Sequence, residues 1–163
     1  MKVLLVVDLQ KQFRDRSGKY EQCLEYIRTH REEYDKVVAT LFRQDRSLNG
    51  NYAKLRWSGC MDADISDLEF KADQVVIKYG YGLPQGFFGN DKVTVIGCDA
   101  DACVLATCFS LWDDGIDFRF MKRYIYTTGN IPMDAVWKIY DRNFGDKRKA
   151  KEYVLTKRQI RKK

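Results

Sequence analysis

The sequence is poor in histidine and proline, and it has no long apolar run near its start. It contains one histidine, His30, and two prolines among 163 residues. A single histidine excludes every metal site that needs two or more histidine ligands. The longest apolar run near the start, Val3–Val7, is too short for a signal-peptide core or a bilayer span. We therefore expect a cytoplasmic protein with no membrane partner.

The cysteines do not form a pattern that predicts disulfide bonds. There are five of them, an odd number with irregular spacing: Cys23, Cys60, Cys98, Cys103 and Cys108. In a reducing compartment such residues are free thiols. A function for any of them therefore has to come from the reactivity of the thiol.

The positive charge of the chain belongs to one end. The formal net charge is +6, which taken alone favours a nucleic-acid partner. Residues 146–163 carry nine basic and two acidic side chains, whereas the 145 residues before them carry 20 basic and 21 acidic ones. The body of the chain is therefore close to neutral. Only Tyr153 adds an aromatic ring to the basic end, so nucleic acid is not the partner that we expect.

Short apolar runs alternate with stretches of helical character. The runs predict six strands, at Lys2–Asp8, Lys36–Phe42, Gln74–Lys78, Lys92–Gly97, Asp117–Met121 and Glu152–Thr156. Helices are predicted over Gly18–Tyr34, Ala102–Asp114 and Pro132–Phe144. This alternation predicts an α/β fold with three α/β/α layers, Rossmann-like, around a mostly parallel six-stranded sheet. We expect one domain over residues 1–163, with 157–163 as a frayed basic tail.

Three reactive side chains fall at the carboxyl ends of predicted strands, where open α/β sheets bind their ligands. Asp8 ends the first strand and Lys78 the third, and Cys103 follows the fourth strand at the start of a predicted helix. A helix N-terminus and a nearby ammonium group both stabilise a thiolate. Backbone N–H groups at the same turn could hold an oxyanion. The pattern favours nucleophilic catalysis by cysteine.

The same segments resemble a known family. VVDLQKQF at Val6–Phe13, VVIKYGY at Val75–Tyr81 and VIGCDADACVLATCFSLWDDG at Val95–Gly115 resemble, in order, three motifs of the isochorismatase-like cysteine hydrolases. The similarity spans the whole chain. Two departures stand beside it: Ala100 occupies the position of a usual threonine, and Gly82-Leu83-Pro84 follows the lysine motif.

The resemblance implies a catalytic triad and an oxyanion hole. Asp8 would act as general base, Cys103 would attack an acyl carbon, and Lys78 would lie between them and stabilise both anions. The oxyanion hole would be the backbone N–H groups of Asp99 and Cys103, with a cis peptide at Cys98–Asp99. The carboxylates of Asp99 and Asp101 could tune the charge preference for the substrate, although N-capping of the helix is the simpler interpretation.

The resemblance also suggests what surrounds the triad. Phe13, Trp57 and Tyr81 would line the substrate pocket, and Gln10 would hold nearby backbone. Nicotinamidases of the family bind a metal through an aspartate and histidines after the second strand. Asp45 could supply the carboxylate, but no histidine lies near it in the sequence, so we expect no metal and no cofactor. The family is usually oligomeric, so a homo-oligomer is expected.

The leading hypothesis is a metal-independent cysteine hydrolase that cleaves a small amide or related acyl compound through a thioester. Two alternatives remain. One is a non-catalytic relative whose basic C-terminal end binds an acidic partner or nucleic acid, with the site around Cys103 occluded. The other is a redox-sensing protein in which Cys103 pairs with Cys98 or Cys108, which requires Cα atoms within about 7 Å.

Overall fold

The structure, a computed structural model, describes residues 1–145. The predicted sixth strand at Glu152–Thr156, the tail at 157–163 and the rest of the basic end lie outside the described residues. The chain divides into two compact units, residues 1–130 and 131–163. The first unit contains a parallel sheet and two helices, and the second contains one described helix. None of the described helices is long and apolar enough to cross a membrane.

The first unit is built on a five-stranded parallel sheet. Its strands are β1 (Lys2–Val7), β2 (Lys36–Phe42), β3 (Gln74–Lys78), β4 (Lys92–Gly97) and β5 (Asp117–Ile125), in the order β3-β2-β1-β4-β5. β1 lies at the centre and is buried on both faces from Val3 onward, as its unbroken apolar run requires. The predicted α/β fold with a parallel sheet is therefore confirmed.

Helices flank the sheet. α1 (Lys19–His30) packs on the face that carries Leu4, Val6 and Ile96. α2 (Cys103–Asp113) joins β4 to β5 and contacts β1, β4 and β5. The β1–β2 and β4–β5 crossovers run toward opposite edges of the sheet, so right-handed connections place their helices on opposite faces. In the second unit, α3 (Met133–Phe144) starts after Pro132 as predicted and buries Val136 and Tyr140.

Two elements differ in length from the prediction. α1 ends at His30, and a 3-10 turn, Arg31–Glu33, follows it, because the chain becomes extended at Tyr34, where φ is −117° and ψ is 138°. The Tyr34 N–H closes that turn by donating to the Arg31 carbonyl at 3.2 Å. β5 extends to Ile125 rather than Met121, because a register irregularity lets it pair again where β4 ends.

Gly97 brings the ends of the two central strands together. Its φ is +119°, and a Cβ at this position would lie 2.1 Å from the carbonyl oxygen of Val7. Only glycine permits that approach. Consequently the residues that follow β1 and β4, Asp8 and Cys98, are neighbours, with the Cys98 thiol 3.4 Å from the Asp8 carbonyl oxygen.

Candidate active site

Asp8 is a fully buried carboxylate held by the neighbouring strand. It follows β1 and takes a φ of +48°, a left-handed conformation that is uncommon outside glycine. Thr40, in β2, accepts from the Asp8 backbone N–H at 3.0 Å and donates to Asp8 Oδ1 at 2.5 Å. These two bonds set the direction of the carboxylate. Strain at a residue held in this way is typical of functional sites.

Lys78 forms an ion pair with Asp8 inside the protein. Its Nζ lies 2.9 Å from Asp8 Oδ2, and the exposed fraction of each side chain is 2% or less. The same ammonium group donates to the carbonyl of Tyr81 at 2.7 Å. Burial of two charges is costly, and their pairing with the further bonds to Thr40 and Tyr81 offsets only part of that cost. Lys78 is in register with Phe42 of β2, so its side chain reaches Asp8 across the end of the strand that separates β3 from β1.

Cys103 reaches this pair from the end of β4, which lies on the opposite side of β1 from β2 and β3. It is the first residue of α2, it is 6% exposed, and its thiol lies near enough to the Asp8 carboxylate to feel its charge strongly. Burial raises the pKa of the thiol well above its usual value, the Asp8 charge raises it further, and the Lys78 charge opposes the rise. The thiol is therefore protonated in the resting protein and has a proton acceptor in contact. The structure brings together all three side chains of the triad that the resemblance implied.

The turn before Cys103 presents two backbone donors. The Cys98–Asp99 peptide bond is cis, as the resemblance implied. The carbonyl oxygen of Asp99 accepts from Ala102 N at 3.1 Å and from Val104 N at 3.0 Å, which folds the turn back on itself. Within residues 1–145, neither the Asp99 N–H nor the Cys103 N–H donates to a protein acceptor. Both remain available for an anion beside the thiol.

Neither acidic side chain of this turn caps α2, so the N-capping interpretation is wrong. The N-cap residue is Ala102, with no side-chain bond. Asp99 instead accepts from the backbone N–H and hydroxyl of Thr128, at 2.6 and 2.9 Å, and Asp101 accepts from the hydroxyl of Thr127 at 2.5 Å. The two carboxylates bind the loop after β5. The local sequence does not reveal that this loop lies next to the turn before Cys103.

An aromatic cleft of about 310 Å³ opens above Cys103. The three predicted pocket residues, Phe13, Trp57 and Tyr81, all line it, and so does Asp99. Four further lining residues were not indicated by the sequence: Gln12, Phe42, Ala102 and Thr128. Phe42 is the central ring, with its centroid 6.0 Å from Trp57 and 6.4 Å from both Phe13 and Tyr81. Phe42 is the last residue of β2, and a position at the end of a strand is also what identified Asp8 and Lys78. The same criterion could have identified Phe42 from the sequence. The cleft shows that the surface next to Cys103 is not occluded.

Gln10 has the backbone role that was expected of it. It is fully buried, its Nε2 donates to the Phe42 carbonyl at 3.0 Å, and its Oε1 accepts from the Phe42 N–H at 2.8 Å. This two-point contact fixes the loop after β1 to the end of β2. Cys98 and Cys108 are buried completely, consistent with core positions, and all five cysteines are free thiols.

Solved structures with this architecture are enzymes. The chain aligns with an isochorismatase-like hydrolase from Alkaliphilus metalliredigens (15% identity, 86% of this chain and 91% of that one, TM-score 0.66). The fold is that of the isochorismatase-like hydrolases. Other solved structures with this fold are the N-carbamoylsarcosine amidase from Thermoplasma acidophilum (20%, 89% and 94%, 0.64) and the pyrazinamidase of Pyrococcus horikoshii in complex with zinc (17%, 84% and 92%, 0.62). The sequence matches no protein-family model and no curated protein.

The zinc in that pyrazinamidase raises the question of whether this isochorismatase-like fold has a matching metal site. In the part of the chain that the structure describes, no group of three or more histidine, cysteine, aspartate or glutamate side chains could hold a metal ion. Asp45, the candidate carboxylate, accepts from the backbone N–H and hydroxyl of Ser47, at 2.8 and 2.5 Å. It closes a local turn, so the residues here do not fit a metal centre.

Proposed function

We propose that this protein is a metal-independent cysteine hydrolase that cleaves a small amide or related acyl compound. The observation that carries the proposal is the buried Asp8–Lys78 ion pair in contact with the Cys103 thiol, on the floor of an open cleft. A buried acid and base that touch a buried thiol are costly to the fold, and catalysis gives that cost a use. The amidases that share the fold support the reaction class.

In the first half of the reaction, the thiol proton passes to Asp8 as the sulfur attacks the acyl carbon. A C–S bond forms, and the carbonyl oxygen becomes an oxyanion that the N–H groups of Asp99 and Cys103 stabilise. The intermediate then collapses, the C–N bond breaks, and Asp8 returns its proton to the leaving amine. The products at this stage are a thioester on Cys103 and a free amine.

In the second half, water replaces the amine. Asp8 takes a proton from the water as its oxygen attacks the thioester, a C–O bond forms, and the C–S bond then breaks. The sulfur regains its proton from Asp8 and the carboxylic acid leaves. Lys78 keeps its charge throughout. Its ammonium group offsets the negative charge that moves between Asp8 and Cys103, and its bond to the Tyr81 carbonyl keeps it in place.

The test measures ammonia release from a panel of small primary amides. We expect wild type to turn over at least one of them, Cys103→Ala to lose this activity entirely, and Cys108→Ala, a buried cysteine of the same helix, to keep it. Activity should survive treatment with a chelator and gain nothing from added zinc. The proposal fails if no amide reacts and Cys103 is alkylated no faster than Cys98 or Cys108.

A further inference from the structure

The cleft above Cys103 carries negative charge. Of the nine described residues that line it, only Asp99 has a charged side chain. Lys78 lies below the cleft, and its ammonium group is engaged by Asp8 and by the carbonyl of Tyr81. The ion pair is neutral as a unit, so Asp99 sets the sign of the charge that a bound molecule meets.

The Asp99 carboxylate is only partly satisfied by the protein. Thr128 supplies all of its hydrogen bonds within residues 1–145: the backbone N–H and the hydroxyl reach Oδ1, and Oδ2 receives only that same hydroxyl, at 3.0 Å. Among the described residues, no lysine, arginine or histidine forms an ion pair with it. Burial raises the pKa of this carboxyl group, as expected for an anion that has lost water without gaining a counter-charge.

Aromatic faces complete the cleft. The rings of Phe13 and Trp57 are stacked, with centroids 6.3 Å apart, and those of Phe42 and Tyr81 are nearly parallel. Trp57 and Tyr81 keep 38% and 46% of their surface exposed, although both are large apolar rings. Exposed aromatic faces beside a carboxylate attract cations through the ring quadrupole, and they repel anions.

We propose that Asp99 is the specificity-determining residue of the cleft and that it selects amides carrying a cationic nitrogen, such as a primary ammonium or guanidinium group. That the ligand is an amide rests on the proposed hydrolase function. The preference for a cation follows from the cleft alone. The substrate cation would bond the free lone pairs of Asp99 Oδ2 and lie against the rings of Trp57 and Tyr81. The scissile carbonyl would then lie over Cys103.

A cationic substrate also answers an electrostatic problem of the site. Of the charged side chains that act on Cys103, Asp8 and Asp99 disfavour a thiolate and Lys78 favours it. A bound cation neutralises one of the two anions. The thiol therefore becomes easier to ionise when a substrate of the right charge is present, which couples reactivity to recognition.

The experiment uses thiol probes that share one reactive group and differ in charge. They are the methanethiosulfonates with an aminoethyl, a methyl and a sulfonatoethyl group, and each forms a disulfide with Cys103 and releases methanesulfinate. The rate at Cys103 is followed by peptide mass spectrometry and divided by the rate with free mercaptoethanol. Asp99→Asn keeps the oxygen that accepts from Thr128 and removes the charge. Asp101→Asn makes the same change two residues away, outside the cleft wall.

We expect wild type to favour the cationic probe over the anionic one by about tenfold, the effect of one hydrogen-bonded charge. Asp99→Asn should remove about that factor, and Asp101→Asn should leave the ratio as in wild type. An unchanged ratio in Asp99→Asn, or an equal loss in Asp101→Asn, overturns the inference. None of these rates requires hydrolysis, so the failure of the proposed function is seen separately.

A second arm compares ammonia release from 3-(aminomethyl)benzamide, 3-methylbenzamide and 3-carbamoylbenzoate. For Asp99→Asn we expect the ratio of kcat/KM for the cationic amide to kcat/KM for the neutral one to fall by about tenfold, mainly through the KM of the cationic amide. A merely structural role would lower kcat/KM for both. If the kcat/KM of wild type for the neutral or the anionic amide equals that for the cationic one, the inference fails while the hydrolase function stands.

Discussion

Replacement of Asp8 by asparagine should make Cys103 more acidic and, at the same time, abolish hydrolysis. The buried Asp8 carboxylate raises the pKa of the Cys103 thiol through its negative charge. Asparagine keeps the shape and removes the charge. It also leaves the Lys78 ammonium, 2.9 Å from Asp8 Oδ2, without its anion and free to favour the thiolate. Both changes lower the pKa of Cys103.

The magnitude follows from the geometry. At an effective dielectric constant near 20, two unit charges about 4 Å apart interact by about 4 kcal/mol, which corresponds to about three pKa units. The charge of Asp8 is spread over two oxygens, and part of its field is already offset by Lys78. We therefore expect the pKa of Cys103 to fall, and its alkylation at a pH below the midpoint to become about tenfold faster or more.

The assay is the pH dependence of iodoacetamide alkylation at Cys103, read by peptide mass spectrometry. The midpoint should move to lower pH in Asp8→Asn and stay unchanged in Asp101→Asn. An unpaired buried charge costs about 3–5 kcal/mol of stability, so circular dichroism has to establish that the variant is folded. Asp8→Asn with Lys78→Met avoids that cost, and its midpoint should also fall, though less. A midpoint that stays or rises in both variants refutes the reasoning, because Asp8 would then not act on the thiol.

Two further predictions concern the scaffold of the site. Gly97→Ala should lower the free energy of unfolding by about 3 kcal/mol or more, since a Cβ would lie 2.1 Å from the Val7 carbonyl oxygen at a φ of +119°. A thermal melt checks it, with Gly50→Ala, where a Cβ meets open space, expected to melt like wild type. Gly59→Ala should push the Trp57 ring out of the cleft, because its Cβ would lie 2.2 Å from that ring. Acrylamide quenching of tryptophan fluorescence should then rise, and no rise should occur in a Trp57→Phe background.

The strands of the sheet could be predicted because their apolar runs are distinctive. β1 to β4 match the expected bounds to within one residue, since buried parallel strands need unbroken runs of Val, Ile and Leu. β5 was predicted too short, because Lys122 and Arg123 interrupt its pattern. Both residues are exposed at the sheet edge, where charged side chains are tolerated.

The candidate site divides in a similar way. Asp8, Lys78 and Cys103 could be found because each lies where a strand ends or a helix begins, which is local information. Thr40, which directs the Asp8 carboxylate, lies inside a strand and could not be distinguished from a core residue. The partnership between Asp99 and Thr128 joins residues 29 positions apart, and no local pattern predicts it.

The charges of the site favour the protonated thiol of Cys103 in the resting protein. Asp8 and Lys78 cancel, so the cysteine faces the buried dipole of an ion pair plus the anion of Asp99. A thiolate there would add a second net negative charge to a cleft that contains no cation among its described walls. The thiol is therefore held protonated, which protects it from oxidants and adventitious electrophiles, since the thiolate is the reactive form. Reactivity requires both a proton acceptor in contact, which Asp8 supplies, and a ligand that compensates Asp99. Asp99 therefore has two effects: its charge suppresses ionisation of the free thiol, and it selects the ligand whose positive charge removes that suppression.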